Sequence, residues 1–486
     1  MTYEYKSKPY EHQHRIFEET RDLEAYGLFW EQGVGKSKPT IDTASYLFEC
    51  GVIDALVVVA PSGVERNWIT DELPVHMPDR VRKRTYAFFY ETKKAKRASY
   101  KSVLDTGLRW GGMVVLAMSY DAFITEKGKA YAGQFMRKRK CLLVVDESQG
   151  IKTPDAIRTK TLMAARKFSQ SRRILSGTPV TQGPFDVYSQ MKFLDDDFWK
   201  KKGIASWSAY KAHFGKFEQK PFGPGGRMID ICVGYRNIDD LTQWLPEITH
   251  RLTKDDALDL PDKIYQKRYV ELTEEQWKHY ENLKVDMMTV VGNDPGNIVE
   301  APLAITQAIR FQQIISGYVT DIDGNVISVT ERNPRLNAFQ QIAEEQTRPG
   351  LVWARFTKDI DLIMEMLAKI GKRAARYDGS TSDDERAQAK KDFQDGKLDW
   401  MVLNQAAGAT GLTLTRAKVV VYYSNSFRLV DRLQSEDRAH RIGQTDHVTY
   451  IDLVAPDTID EKIVTALREK KDIAGQITGD SLKEWI

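Results

Sequence analysis

The chain has 486 residues, with 71 Lys plus Arg against 68 Asp plus Glu, a formal net charge of +3, and 42% hydrophobic and 29% charged residues. This balance excludes an intrinsically disordered chain, and no apolar run approaches the roughly 18 residues of a transmembrane helix. The three cysteines, Cys50, Cys141 and Cys232, show no metal-ligand spacing, and Met1 to Gln13 lacks the apolar core of a signal peptide, so a reduced, cytoplasmic protein without structural zinc is expected.

Along the chain, Lys8-Pro9-Tyr10-Glu11-His12-Gln13 opens a helix predicted to run to about Glu24. It places Tyr10 and Gln13 on one face, where a ring can stack on a base and an amide can read the base edge. A short apolar run to Trp30 then meets Glu31-Gln32-Gly33-Val34-Gly35-Lys36-Ser37, followed by the helically periodic Ile41 to Phe48. A glycine-rich turn between strand and helix aims backbone N–H groups at the positive end of the helix dipole, which makes a phosphate cradle. Lys36 adds a charge for the terminal phosphates, and the Ser37 hydroxyl supplies a magnesium ligand. The full phosphate-loop pattern wants glycine at position 30, where this chain has Trp30, so the short match alone does not separate a phosphate loop from a chance glycine turn.

The apolar runs Leu56 to Pro61, Met113 to Ala117, Cys141 to Val145 and Arg173 to Ser176 alternate with helical stretches, the pattern of a buried parallel sheet. The third run ends in Asp146-Glu147-Ser148-Gln149, at the carboxyl end of a strand, where open α/β sheets bind ligands. There Asp146 is expected to hold magnesium and Glu147 to polarise the attacking water. An ordinary acidic helix start is the alternative, but the order of glycine cradle and then strand-Asp-Glu is that of phosphate-loop enzymes. Three basic clusters, 80–84, 93–97 and 137–140, are as consistent with solvated faces as with a polymer surface.

With Ser176-Gly177-Thr178-Pro179 the series Gln13, Gly33 to Ser37, Asp146 to Gln149 and Ser176 to Pro179 resembles superfamily 2 helicases and translocases. The resemblance narrows to Snf-type ATPases further on. His250-Arg251-Leu252-Thr253-Lys254, Leu260-Pro261-Asp262-Lys263 and the Leu272-Thr273-Glu274-Glu275-Gln276 helix start with Tyr280 are similar to the segment between the lobes of that family. So is Gln434-Ser435-Glu436-Asp437-Arg438-Ala439-His440-Arg441-Ile442-Gly443-Gln444. Two departures stand out: Ser148-Gln149 where the family carries a small residue and His, and Trp30 where it carries an acidic residue. In the stretch Asn404 to Leu414, Ala409 replaces a glycine and Thr413 an Asn.

The resemblance implies an α/β protein of two RecA-like parallel-sheet lobes with ATP between them. Its expected divisions are a first lobe over 1–197, a helical insertion and linker over 198–270, a helical insertion over 271–345, a second lobe over 346–455 and a terminal brace helix over 456–486. Within 198–270 no parallel-sheet pattern appears, and 220–226 reads as a loop; Asp321 to Asn325 reads as a hairpin turn rather than a calcium loop. Gln434, Arg438 and Arg441 fall at helical spacing, and the family assigns such arginines to the charge developing on the γ-phosphate. It also implies that Ser176 and Thr178, with Gly408 and Gly411, couple hydrolysis to nucleic acid. Ser62, Arg66, Ser119, Tyr120 and Thr413 are the candidate DNA contacts. The expected activity is ATP hydrolysis with Mg2+, driving translocation of a monomer on duplex DNA in a bacterial or phage-infected cell. A strand-separating or annealing helicase on forked DNA or RNA, and an ATP-switched adaptor on DNA or a polymerase, are the alternatives.

Overall fold

The computed structural model describes residues 3–90, 111–222, 227–258, 260–293, 300–320, 326–405 and 412–478. It divides into two compact units: Met1–Phe214 with Arg236–Asp259 and Ile473–Ser481, and Gly215–Tyr235 with Leu260–Asp472 and Leu482–Ile486. The expected α/β class with two parallel-sheet lobes is borne out.

In the first unit, strands β1 (Ala25–Trp30), β2 (Ala55–Ala60), β3 (Thr85–Phe89), β4 (Met113–Ser119), β5 (Cys141–Asp146) and β6 (Ser169–Leu175) enter one sheet. The chain then forms an antiparallel hairpin of β7 (Gly215–Phe222) and β8 (Arg227–Tyr235) that clusters with the second unit. It returns to the first sheet as β9 (Thr249–Leu252). The order is β3-β4-β2-β5-β6-β1-β9, and every neighbouring pair is parallel. Unbroken runs such as Leu56-Val57-Val58-Val59 are wholly buried because helices cover both faces of the sheet. Alternate residues of each strand go to opposite cores: Val57, Leu143 and Ile174 to one, Leu56, Val58 and Val144 to the other. Helix α1 (Glu11–Thr20) precedes β1, and α2 (Ser37–Glu49) follows it.

Register decides which strand ends meet. Leu28 of β1 and Asp146 of β5 both lie opposite Leu175 of β6, and Ser176 N donates to Leu28 O at 3.1 Å. The loops after β1, β5 and β6 therefore open side by side at one edge of the sheet.

The second unit holds β10 (Lys263–Tyr269), a small antiparallel pair β11 (Tyr318–Thr320) and β12 (Val326–Ser328), and then β13 (Gly350–Ala354), β14 (Ala374–Tyr377), β15 (Trp400–Asn404), β16 (Val419–Tyr422) and β17 (Val448–Val454). Its parallel sheet runs β10-β17-β16-β13-β15-β14. The helices Glu274–Asn293 and Glu300–Ile315 precede the small pair. Gln276 explains the helix-start string: its Nε2 donates to Ile314 O (2.8 Å) and Ile315 O (3.1 Å), satisfying carbonyls at the end of the second helix. The turn expected at Asp321 to Asn325 lies outside the described residues, as do the cluster 93–97 and Gly408 and Gly411.

The stretch expected to lack sheet contributes β9 and β10. Both are edge strands, and β10 alternates half-buried with exposed positions, so neither carries the apolar run by which a central strand is recognised. Lys220 and Pro221, read as loop, belong to β7. The aromatic stretch after 198 forms the helices Phe198–Lys201 and Trp207–Phe214, whose Trp199, Tyr210 and Phe214 join the core of the first unit.

A buried charge cluster ties the helix Leu429–Glu436 to β17. Arg432 donates to both oxygens of Asp452 (2.5 and 2.9 Å), to Glu436 Oε1 (2.8 Å) and to Asn425 Oδ1 (3.0 Å), with all three ionised groups about 1% exposed or less. Burial alone would raise the Glu436 carboxyl, but Lys263 and Arg432 pull it far below the usual carboxylate range. Removing Arg432 leaves the buried Asp452 without a cation, while Glu436 keeps Lys263, so Arg432→Met is expected to remove about 3–5 kcal/mol of stability, read as a lower denaturation midpoint in urea.

Candidate active site

The cradle is built on two left-handed glycines, Gly33 (φ 84°) and Gly35 (φ 86°), which no residue with a Cβ adopts without strain. A Cβ on Gly35 would also collide with Gln13 Nε2. Gln13 staples α1 to this turn: its Oε1 accepts from Tyr10 N (2.9 Å), and its Nε2 donates to Gly35 O (3.1 Å). Gln13 thus lies beside the cradle, with both ends of its amide engaged by Tyr10 N and Gly35 O. Tyr10 is 49% exposed, its ring stacked on His12 at 5.7 Å. Lys36 Nζ donates to Trp30 O (2.9 Å) and Glu31 O (3.2 Å), so the ammonium lies across the loop, and Ser37 begins α2.

Trp30, the departure from the phosphate-loop pattern, is wholly buried at the end of β1 and donates to His250 Nδ1 at 2.9 Å. Neighbouring Arg251 donates to Phe29 O (2.7 Å) and lies 3.7 Å from Glu31 Oε1, while Lys254 N donates to Glu31 Oε2 (3.0 Å). The basic string after residue 249 thus braces the cradle, a role its position in a linker did not suggest.

Asp146 ends β5. Its Oδ2 accepts from Trp68 Nε1 (2.9 Å), and its Oδ1 accepts from Glu147 N (2.9 Å). Burial, with the Glu147 charge beside it, pushes the Asp146 carboxyl up to about 6, against the opposing pull of the Trp68 hydrogen bond and Lys36. Glu147 stands at φ 52° and accepts from Gln32 Nε2 at 3.1 Å and Gln149 Nε2 at 2.8 Å. Ser176 Oγ donates to Gln149 Oε1 (2.7 Å) and accepts from Thr178 N (3.0 Å). Lys36, Asp146, Glu147 and Ser176 are thus gathered at one edge of the sheet, as the register requires.

Several expected polymer contacts fall elsewhere. Tyr120 is 4% exposed, and its hydroxyl donates to Asp146 O (2.8 Å) and Glu147 O (3.2 Å). It braces the acidic pair from within, a correction to its reading as a DNA contact: it opens the helix that follows β4, with its ring packed in the core of the unit and its hydroxyl turned to the end of β5. Ser119 Oγ caps the next helix by accepting from Ala122 N. Thr178 Oγ1 is buried. Ser62 and Arg66 are exposed, with Arg66 over the Phe89 ring. The basic clusters are not uniform faces either, for Arg80 is paired with Glu49 and Arg139 is buried over Phe135.

In the second unit, Gln434 is buried in the helix Leu429–Glu436, and that helix ends before the two arginines. The helical spacing expected of Gln434, Arg438 and Arg441 is therefore not kept: Glu436 is pinned in the buried charge cluster, and the chain turns away toward Gly443 at φ 96°. The arginines nevertheless converge, Arg438 Nη1 at 3.3 Å and Arg441 Nη1 at 3.1 Å from Leu412 O, with the half-buried Thr413 next in sequence.

Two family models match the chain: the SNF2-related domain over residues 12–314 and the helicase conserved C-terminal domain over 334–443. The chain belongs to the SNF2-related family. Among curated relatives it is 24% identical to the Chromodomain-helicase-DNA-binding protein 1-like of Danio rerio, over 89% of this chain and 40% of that protein. It is 25% identical to the Putative ATP-dependent helicase/translocase YwqA of Bacillus subtilis, over 96% of this chain and 49% of that protein. A solved structure, the Sulfolobus solfataricus SWI2/SNF2 ATPase core in complex with dsDNA, aligns with 99% of this chain and 96% of its own at 22% identity and a TM-score of 0.43. The chain spans 24% to 49% of the length of the curated relatives compared.

Proposed function

We propose that this chain is a DNA-stimulated ATP hydrolase that translocates on duplex DNA. The observation that carries the reading is the gathering of Lys36, Asp146, Glu147 and Ser176 at the carboxyl edge of one parallel sheet, beside a cradle whose two glycines are held left-handed. The cradle fits a polyphosphate: Gly33 and Gly35 leave backbone N–H groups uncovered by a Cβ, and Lys36 supplies the charge. Ser37 and Asp146 fit a hard divalent cation, being a hydroxyl at the end of the loop and a carboxylate at the end of β5. When bound, magnesium would neutralise charge on the phosphate oxygens. Glu147 orients the attacking water and takes its proton, while Lys36 holds the γ-phosphate. Arg438 and Arg441 are proposed to stabilise the charge that develops on the transferred phosphoryl group.

The relatives named for helicase, translocase and DNA-binding roles support DNA as the polymer, and the duplex form is part of the proposal. Contacts to phosphates, from exposed side chains such as Arg66, would give binding that falls as salt rises. The test is ATP turnover measured against duplex DNA, single-stranded DNA and RNA, paired with displacement of a triplex-forming strand. Duplex DNA is expected to stimulate most and the triplex strand to be displaced without separation of the duplex. Stimulation by RNA or single strands alone would replace the translocase reading with that of a helicase. Binding without any stimulated turnover would replace it with an ATP-switched adaptor.

A further inference from the structure

Two histidines hold the cradle from outside the phosphate-loop stretch. The wholly buried Trp30 stands where the general phosphate-loop pattern has glycine. Its Nε1 donates to His250 Nδ1 at 2.9 Å, while its carbonyl oxygen seats the Lys36 ammonium at 2.9 Å. His12, on α1, meets Val34 O through Nε2 at 3.2 Å, and Val34 lies between the two left-handed glycines. The rings form one column: Tyr10 stacks on His12 at 5.7 Å, His12 meets Trp30 edge-on at 5.2 Å, and Trp30 meets His250 at 5.9 Å. An indole only donates, so His250 Nδ1 is the acceptor and its proton sits on Nε2; a carbonyl only accepts, so His12 carries its proton on Nε2. A protonated His12 therefore still donates to Val34 O, whereas a protonated His250 sets N–H against N–H at the buried indole.

We propose that Trp30 and His250 are positioning residues of the nucleotide cradle, and that ATP binding requires His250 in its neutral form. The inference rests on the reading of the cradle as an ATP site. Trp30 carries the requirement to the phosphates: His250 fixes its side chain and its carbonyl fixes Lys36, so a displaced indole moves the seat of the lysine that meets them. Strand β9 brings the ring there by running parallel to β1, with His250 opposite Leu28 and Leu252 opposite Trp30. The titratable and charged groups facing His250 are Arg15, Glu19 and His12 on α1, with the uncharged Trp30 from β1. Burial favours the neutral ring most, Arg15 and His12 act in the same direction, and Glu19 opposes them. Because nucleotide takes the neutral ring, affinity is complete above the imidazole's titration and falls as pH drops through it, on the acid side of the ordinary value of about 6.5.

The test measures binding of a ribose-labelled fluorescent ATP to the full chain between about pH 8 and about pH 5, in the parent, His250→Asn, Trp30→Phe and His12→Gln. In His250→Asn the amide oxygen stands close to where Nδ1 stood, accepts from the indole and does not titrate. This variant is expected to match the parent within about two-fold at the alkaline end and to bind about five-fold tighter than the parent at the acid end, since one proton excluded from the complex weakens binding by at most about ten-fold per pH unit. Protonation of the nucleotide's own phosphates near pH 6, and of the Asp146 carboxyl, weakens binding in both chains alike, so the difference between the two curves isolates His250. Trp30→Phe keeps a ring and removes the donor. It is expected to bind about five-fold weaker than the parent at the alkaline end, the scale of one lost hydrogen bond, and to lack the His250 limb. His12→Gln keeps a donor for Val34 O and is expected to retain that limb.

A parent curve that His250→Asn follows at every pH overturns the proposal, as does an acid limb that survives in Trp30→Phe. Either variant decides the question alone, so failure of one to fold leaves the other as the test. A parallel fall of melting temperature and affinity in His250→Asn at the alkaline end, with the parent's acid limb kept, would mark His250 as a packing residue. A parent chain that binds nucleotide while both variants keep its pH dependence rejects the proposal alone. A parent chain that binds no nucleotide at any pH rejects the ATP-site reading and the proposal with it.

Discussion

Lys36→Ala and Glu147→Gln are each expected to reduce ATP turnover by at least about 10²-fold and to leave the chain folded. The two substitutions remove different things. Lys36 lies across the cradle, with its ammonium on Trp30 O and Glu31 O, 2.9 and 3.2 Å away. These carbonyls lie where buried β1 passes into the half-buried loop, so truncating Lys36 costs their hydrogen bonds, and a bound γ-phosphate would lose the cation of the cradle. Loss of one preorganised electrostatic group of this kind lowers kcat by about 10²–10³-fold. Glu147→Gln preserves size and keeps one acceptor for the amides that hold it, but the replacement cannot take a proton. General-base removal lowers turnover by about 10²–10⁴-fold. Phosphate release under saturating ATP and duplex DNA reads both effects, with circular dichroism and the melting temperature as folding checks. Near-normal turnover in either variant would remove that residue from the site.

How much of this was legible depended on where a residue's partners lie. The central strands announced themselves because β2 and β5 are buried on both faces and need an unbroken apolar run. The edge strands β9 and β10 were hidden for the converse reason: one side of each is unpaired, β9 has only four residues with a half-buried polar middle, and β10 mixes half-buried with exposed side chains. The cradle and acidic pair were legible because their chemistry is local to a few consecutive residues. Trp68 and Tyr120, which hold Asp146 and the carbonyls beside it, stand 78 and 26 residues upstream of it, and nothing in their own neighbourhoods points to that contact. Gln149 was visible only as a departure from the family pattern; its hydrogen bonds to Glu147 and Ser176 are seen only in the structure. The arginine helix failed for a tertiary reason. A helical period fits Gln434, Arg438 and Arg441, but the buried pairing of Glu436 with Arg432 and Lys263 fixes the last helical residue and lets the chain turn.

That turn sharpens the choice of arginine for testing the proposed role in charge stabilisation. Arg438 is only 5% exposed and donates to Leu412 O, so its truncation would disturb packing together with any chemistry. Arg441, on the same carbonyl, is only half-buried. Arg441→Ala is therefore expected to lower the single-turnover hydrolysis rate by about 10³-fold, the lower end of what an arginine aimed at a transferring phosphoryl group contributes. ATP affinity should stay within about three-fold, because charge that develops only in the transition state adds nothing to ground-state binding. Arg441→Lys separates charge from geometry: it keeps the positive charge but not the planar fork, and should recover only a small part of the lost rate. Fluorescent-nucleotide titration and rapid-quench hydrolysis measure the two quantities independently. If affinity collapses while bound nucleotide is hydrolysed at the parent rate, Arg441 is a binding residue, and the stabilising role passes to Arg438 or to neither.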